Sequence, residues 1–157
     1  MKLLPRPTIS ATWARCRGLP GGTRLFSRLI GRMAPYTGTV GAHVVELGDG
    51  YCRAQLKERR AVRNHLRSIH AIALMNLGEL VTGLAVMHQL DGHGRGIIRE
   101  LRMEYLKKAR GLITAEAQVE VPHAPGAHDL LVTATLRDEA GDEVARAYAT
   151  WKVDVTG

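Results

Sequence analysis

The chain has 157 residues, 45% of them hydrophobic, and a net charge of +7, which is enough for one domain with a real core. No uninterrupted apolar run reaches the roughly 18 to 20 residues of a membrane span. An aromatic share of 4% argues against a nucleic-acid surface built on base stacking.

The charge is unevenly placed. Lys2, Arg6, Arg15, Arg17, Arg24, Arg28 and Arg32 all precede the first acid, Glu46, and after it cations and acids balance. The high net charge therefore belongs to residues 1–35, a basic N-terminal extension, and not to the domain expected over residues 36–157. Residues 1–20 carry Pro and Gly punctuation and are expected to be weakly ordered. TRLFSRLIGRM, residues 23–33, places Leu25, Phe26, Leu29, Ile30 and Met33 at helical spacing. Thr23 is positioned to cap this helix and Pro35 to stop it. Three readings of the extension stay open: a mitochondrial transit peptide directing the protein to the matrix, a basic arm for a membrane surface or nucleic acid, or a solvated leader before a short helix. Without a targeting role, the expected location is cytoplasmic. Cys16 and Cys52 have neither close spacing nor a disulfide-rich context, so both are expected as free thiols.

From residue 39 the period changes. VGAHVVEL, residues 40–47, reads as a strand, GDG as a tight turn, and YCRAQLKER, residues 51–59, as the hairpin partner. RNHLRSIH is a loop feeding a long helix over residues 70–90, which Asp91 and Gly92 end. IIRELRMEYLKKA alternates with imperfect register, LITAEAQVEV alternates cleanly, and LLVTATLRDEAGDEVARAYATWKV holds two strands around a turn at residues 139–142. One long helix among strands joined by short turns predicts an α+β fold with a mostly antiparallel sheet.

The long helix, HAIALMNLGELVTGLAVMHQL, holds a single acid, Glu79, and no Lys or Arg. At about 100° per residue, Leu74, Leu77, Val81 and Leu84 form one stripe that should pack on the sheet. Glu79 lies on the other side with Ile72, Met75, Asn76, Thr82, Gly83 and Val86. That second face is apolar too, so more sheet, another subunit or a ligand should cover it. A carboxylate there is either solvated in a cleft or holds a raised pKa, which suits a base or nucleophile near neutral pH. A hydrogen-bonded structural role is the alternative. The scattered histidines, including His65, His70, His88, His93, His123 and His128, show no metal-ligand spacing on one helix face, and no metal is expected.

The segment NHLRSIHAIALMNLGE resembles the signature of hotdog-fold acyl-CoA thioesterases, the phenylacetyl-CoA thioesterase-like group, or an uncharacterised branch of that superfamily with an N-terminal helix. The group's pattern is an Asn, six residues on a His-Gly-Gly, and an acid nine residues after the His; Asn64, His70 and Glu79 match it. The resemblance extends over about residues 39–155 and includes YLKKARG, similar to the group's basic segment ending in Gly. It implies a hotdog fold, with the long helix wrapped by a curved sheet, and a homodimer or homotetramer whose sites lie between subunits. It also implies hydrolysis of an acyl-CoA or related thioester, with no cofactor beyond the CoA of the substrate. Glu79 would be the base or nucleophile, and Ala71 the backbone N–H donor to the thioester oxygen. Asn64 would orient water or substrate, and His70 would fix the loop through a ring hydrogen bond. Lys107, Lys108, Arg110 and Gly111 would hold CoA phosphates, the alternative being an ordinary solvated strand end. One departure stands out: the group's His-Gly-Gly is His70-Ala71-Ile72 here. Ala71 keeps its N–H at a helix start, but the added side chains narrow the approach. The rival readings are a non-catalytic hotdog module that binds acyl-CoA or lipid or serves as a structural dimer, and an adaptor working through the basic extension.

Overall fold

The computed structural model describes residues 7–157, so Lys2 and Arg6 of the basic start lie outside the described residues. Its axis is helix α4, Ala71–Leu90. By length and apolarity alone α4 would pass for a membrane span; here a sheet wraps it instead. Six strands run antiparallel: β1 (His43–Gly48), β2 (Tyr51–Lys57), β3 (Gly94–Tyr105), β4 (Leu112–Gln118), β5 (Gly126–Arg137) and β6 (Glu143–Val155). Their spatial order is β1-β2-β4-β5-β6-β3. The α+β hotdog arrangement of helix and curved sheet is the one the sequence leads to.

Small residues on the inner face of the sheet let α4 lie close. Ala54 pairs with Ala115, and Ala134 pairs with both Ala117 and Ala147; all are buried. The expected stripe of Leu74, Leu77, Val81 and Leu84 is buried against this face. Close approach also explains Gly78, where a β-carbon would stand 2.5 Å from that of Ala147. Gly78→Val is therefore expected to lower stability by about 1–3 kcal/mol through overpacking. Gly78→Ala should cost less, because alanine is favoured over glycine in a helix by about 1 kcal/mol. Urea midpoints measure both; an unchanged midpoint in Gly78→Val would mean that the helix can withdraw from the sheet. The imperfect register of β3 has a structural source, a bulge between Ile98 and Glu100 in its pairing with β6.

The N-terminal region departs from the sequence reading. Residues 9–17 form a helix, α1 (Ile9–Arg17), capped by the Thr8 hydroxyl accepting the Ala11 N–H. Buried Trp13 meets buried Phe26 of α2 (Gly22–Met33) edge to face, ring centroids 5.0 Å apart. The Ser10 hydroxyl donates to the His88 carbonyl and the Thr8 hydroxyl to the Asp91 carboxylate, tying α1 to the end of α4. Packing, not local propensity, orders this segment. Thr23 does not cap α2: Gly21 stands at the cap, and the Thr23 hydroxyl bonds the His43 ring at 2.9 Å. Pro35 opens a further short helix, α3 (Pro35–Val40), from its first position, where its missing N–H costs nothing. That helix takes Val40, which alternation alone reads as the start of β1, and the strand itself begins at His43.

The two outer strands differ. β1 is covered by α2, whose Ser27 hydroxyl accepts the Val44 N–H at 2.9 Å. β3 presents an edge twelve residues long that is uncovered among the described residues.

Candidate active site

The segment between β2 and α4 is held by backbone bonds at both ends. The Ile69 N–H donates to the Ala109 carbonyl and the His70 N–H to the Val62 carbonyl, both at 2.8 Å. Inside it the chain folds on Asn64. The Asn64 Oδ1 accepts the Leu66 N–H at 2.9 Å, the Ser68 N–H at 3.2 Å and the Ser68 hydroxyl at 3.2 Å, while Arg67 takes up a left-handed φ of 54°. The Asn64 oxygen is thereby engaged within the loop. His70 stands at the N-cap of α4, where its Nδ1 accepts the Ile72 N–H at 3.1 Å. That bond places the proton of the neutral ring on Nε2.

Ala71 opens the helix. Its carbonyl accepts the Tyr105 hydroxyl at 3.0 Å, and its N–H has no partner among the described residues. A free N–H in the first turn is a donor aimed where negative charge is favoured. Ile72, 48% exposed, stands beside it.

Glu79 is half-buried. Burial raises its pKa above the usual carboxylate value, and a hydrogen bond from the Asn76 side chain opposes the shift. Asn76 is itself buried; its Nδ2 donates to the Thr37 hydroxyl of α3 at 3.0 Å. The far half of the second face of α4 needs no outside cover. The Trp151 indole donates to the Thr82 hydroxyl at 3.1 Å and lies over Gly83, while Val86 faces Gly96 of β3. More sheet is thus the answer there, and Ile72, Met75 and Glu79 are what stays partly open. Glu79 lies eight helical steps after Ala71, about 12 Å along a helix axis. A single α4 cannot bring both to one carbonyl.

The basic segment is largely occupied by its own neighbours. Lys107 Nζ pairs with Asp138 at 2.7 Å and Asp142 at 2.8 Å. Arg110 Nε donates to the Arg67 carbonyl at 3.3 Å. Gly111 has φ 72°, and its N–H donates to Glu58 at 2.7 Å; this bond, ahead of the Arg63 pair, lowers the Glu58 pKa. Lys108 is exposed. Sequence reasoning missed Thr37 and Tyr105 as partners of the helix, because they lie 39 and 34 residues away from what they hold. Among the described residues no group of three or more His, Cys, Asp or Glu side chains converges as a metal site. Both cysteines are free and buried, and burial pushes the Cys52 thiol pKa strongly upward.

The model of a family described as a domain of unknown function, DUF4442, matches residues 22–153. No curated protein sequence matches the chain. Among solved structures, the structural-genomics target APC5556 is similar at 31% identity and a TM-score of 0.81, over 94% of this chain and 99% of that one. Protein PA5026 of Pseudomonas aeruginosa, described as a protein of unknown function and probable thioesterase, has 24% identity and a TM-score of 0.74, over 87% and 97%. The thioesterase HI1161 of Haemophilus influenzae shares the fold at 14% identity and a TM-score of 0.69, over 82% and 90%.

Proposed function

With the chain a member of the DUF4442 family and its fold shared with thioesterases, we propose that it is a hydrolase of acyl thioesters and that its substrate is an acyl-CoA. The observation that carries this reading is Glu79, a lone half-buried carboxylate with a raised pKa in an otherwise uncharged helix. Thioester hydrolysis adds water to the carbonyl carbon, passes charge to the carbonyl oxygen, and breaks the C–S bond to release a thiolate and a carboxylate. The free Ala71 N–H is suited to the developing oxyanion. The Glu79 carboxylate is suited to take the proton of the attacking water, or to attack directly. With its oxygen bonded in the loop, Asn64 keeps its amide N–H groups for substrate or water, and His70 orders the helix start on which Ala71 depends.

The roughly 12 Å between Ala71 and Glu79 along the axis calls for a second copy of the chain. In the proposed assembly, Ala71 and the Asn64 loop of one subunit face Glu79 of its partner. The uncovered twelve-residue edge of β3 supports a homodimer joined there, since an open edge of that length is a template for pairing. Sedimentation at micromolar concentration is expected to show twice the 17.2 kDa chain mass or a multiple of that dimer; a monomer alone would overturn the two-subunit site. Turnover is tested on a panel of acyl-CoAs with short, long and aromatic chains, read as release of free thiol. One observation favours a binding module instead: Ala71 and the exposed Ile72 stand where the thioesterase pattern has two glycines. Tight acyl-CoA binding with no thiol released from any member of the panel would establish that second reading.

A further inference from the structure

We infer that a groove of about 580 Å³ between α2 and the segment running from α3 into β1 holds the phosphate-bearing carrier of the thioester. The inference rests on the thioester reading above and says where the anionic end of that substrate is held. Every titratable group lining the groove is basic: Arg24, Arg28, Arg32 and His43. The three arginines recur every four residues and form one exposed stripe along α2. None has an ion-pair partner among the described residues, whereas the first acid in the chain, Glu46, pairs with Arg53. Burial, helped by the charge of Arg24, lowers the pKa of His43. This positive field is uncompensated, in contrast to Lys107, which two aspartates already hold. Planar guanidinium groups bind phosphate oxygens through paired N–H bonds and suit a polyanion better than isolated ammonium groups.

The floor of the groove is of the opposite character. Ile30, Val44 and Leu80 line it, which fits a largely uncharged arm between phosphates and thiol. The groove also reaches toward the acid. Thr37 lines it and accepts from Asn76, which sits on the same helix as Glu79, one turn before it, and opposes the rise in the Glu79 pKa. Asn76 itself lies behind Thr37, and its buried Oδ1 has no hydrogen-bond partner among the described residues. A flat basic face would favour an anionic membrane; a concave one with an apolar floor favours a single extended molecule.

The test measures binding of free CoA to the full-length protein by calorimetry, so it does not depend on turnover. Arg24→Ala, Arg28→Ala and Arg32→Ala combined is expected to raise the Kd for CoA by about tenfold or more, with the difference shrinking as salt rises. The combined Lys107→Ala, Lys108→Ala and Arg110→Ala variant is expected to stay within about threefold of the parent. Unaltered melting temperatures check that both variants are folded, as substitution of exposed side chains should allow. If CoA binding is lost with the arginines but no thioester is ever cleaved, the groove stands and the hydrolase reading falls. An arginine variant that binds CoA like the parent overturns the groove. So does a parent protein that binds no CoA at millimolar concentration. Sedimentation with vesicles containing phosphatidylglycerol separates the remaining source of phosphate: vesicle binding lost with the arginines while CoA binding is unchanged assigns the stripe to a membrane and overturns the proposal.

Discussion

Replacing Glu79 by glutamine is expected to lower thioester turnover by about 10² or more, the contribution typical of a general base. Glutamine keeps the size and most of the hydrogen-bonding capacity of glutamate but neither takes up a proton at neutral pH nor attacks a carbonyl. Stability should move the other way. A carboxyl whose pKa is raised by folding makes ionisation a cost to the folded state. That cost is absent below the ordinary value of 4.5, grows as pH rises toward the folded pKa, and is fully present above it. Glu79→Gln should therefore melt at a higher temperature than the parent at neutral pH. The two curves should converge as pH falls to about 4.5. Turnover undiminished in Glu79→Gln would remove this residue from the chemistry, and a lower melting temperature at pH 7 would show that its charge stabilises the fold.

Phe26→Ala is expected to cost about 3–5 kcal/mol, the range for deleting a fully buried aromatic side chain. Phe26 has no solvent exposure, and Trp13 of α1 packs against it. The substitution therefore removes the contact that joins α1, α2 and the rest of the core. Chemical denaturation followed by both tryptophan fluorescence and far-ultraviolet circular dichroism measures it. Trp13 sits in α1 and Trp151 in the sheet under α4, so coincident transitions in the parent would show that the N-terminal helices unfold with the body. A cost below about 1 kcal/mol would instead make these helices a loosely attached appendage.

The parts of the fold legible in the sequence are those with a strong period. The long apolar helix over residues 70–90, with its single acid, and the alternating segments of the six strands announce themselves because each buries one face or all of its surface against neighbours of the same chain. Residues 9–17 escaped because their order comes from Trp13 on Phe26 and from Thr8 and Ser10 on the end of α4, contacts that no local pattern encodes. Pro35 reads as a terminator, and α2 does end at Met33 before it, but the same fixed φ also begins another helix. In the candidate site, the helix pattern singles out Glu79, and only the resemblance to the hotdog thioesterase signature adds Asn64 and His70 to it. Spacing said nothing of Tyr105 on the Ala71 carbonyl or Thr37 on Asn76, because those partners arrive from a distant strand and from a helix not foreseen. The basic segment is legible as charge, but the pairing of Lys107 with Asp138 and Asp142 across a turn is not.

The unequal treatment of the two outer strands bears on how large an assembly can become. Polymer growth through sheets needs two sticky ends on every unit, one to accept the previous unit and one to receive the next. Here the Ser27 hydroxyl occupies the Val44 amide and α2 lies along β1, so each unit has a single end available for strand addition. Once two such ends meet, neither molecule can add a third by the same route, and the fibre that a doubly open sheet would nucleate cannot start. A short arginine-bearing helix thus removes one of the two edges that a growing sheet would need.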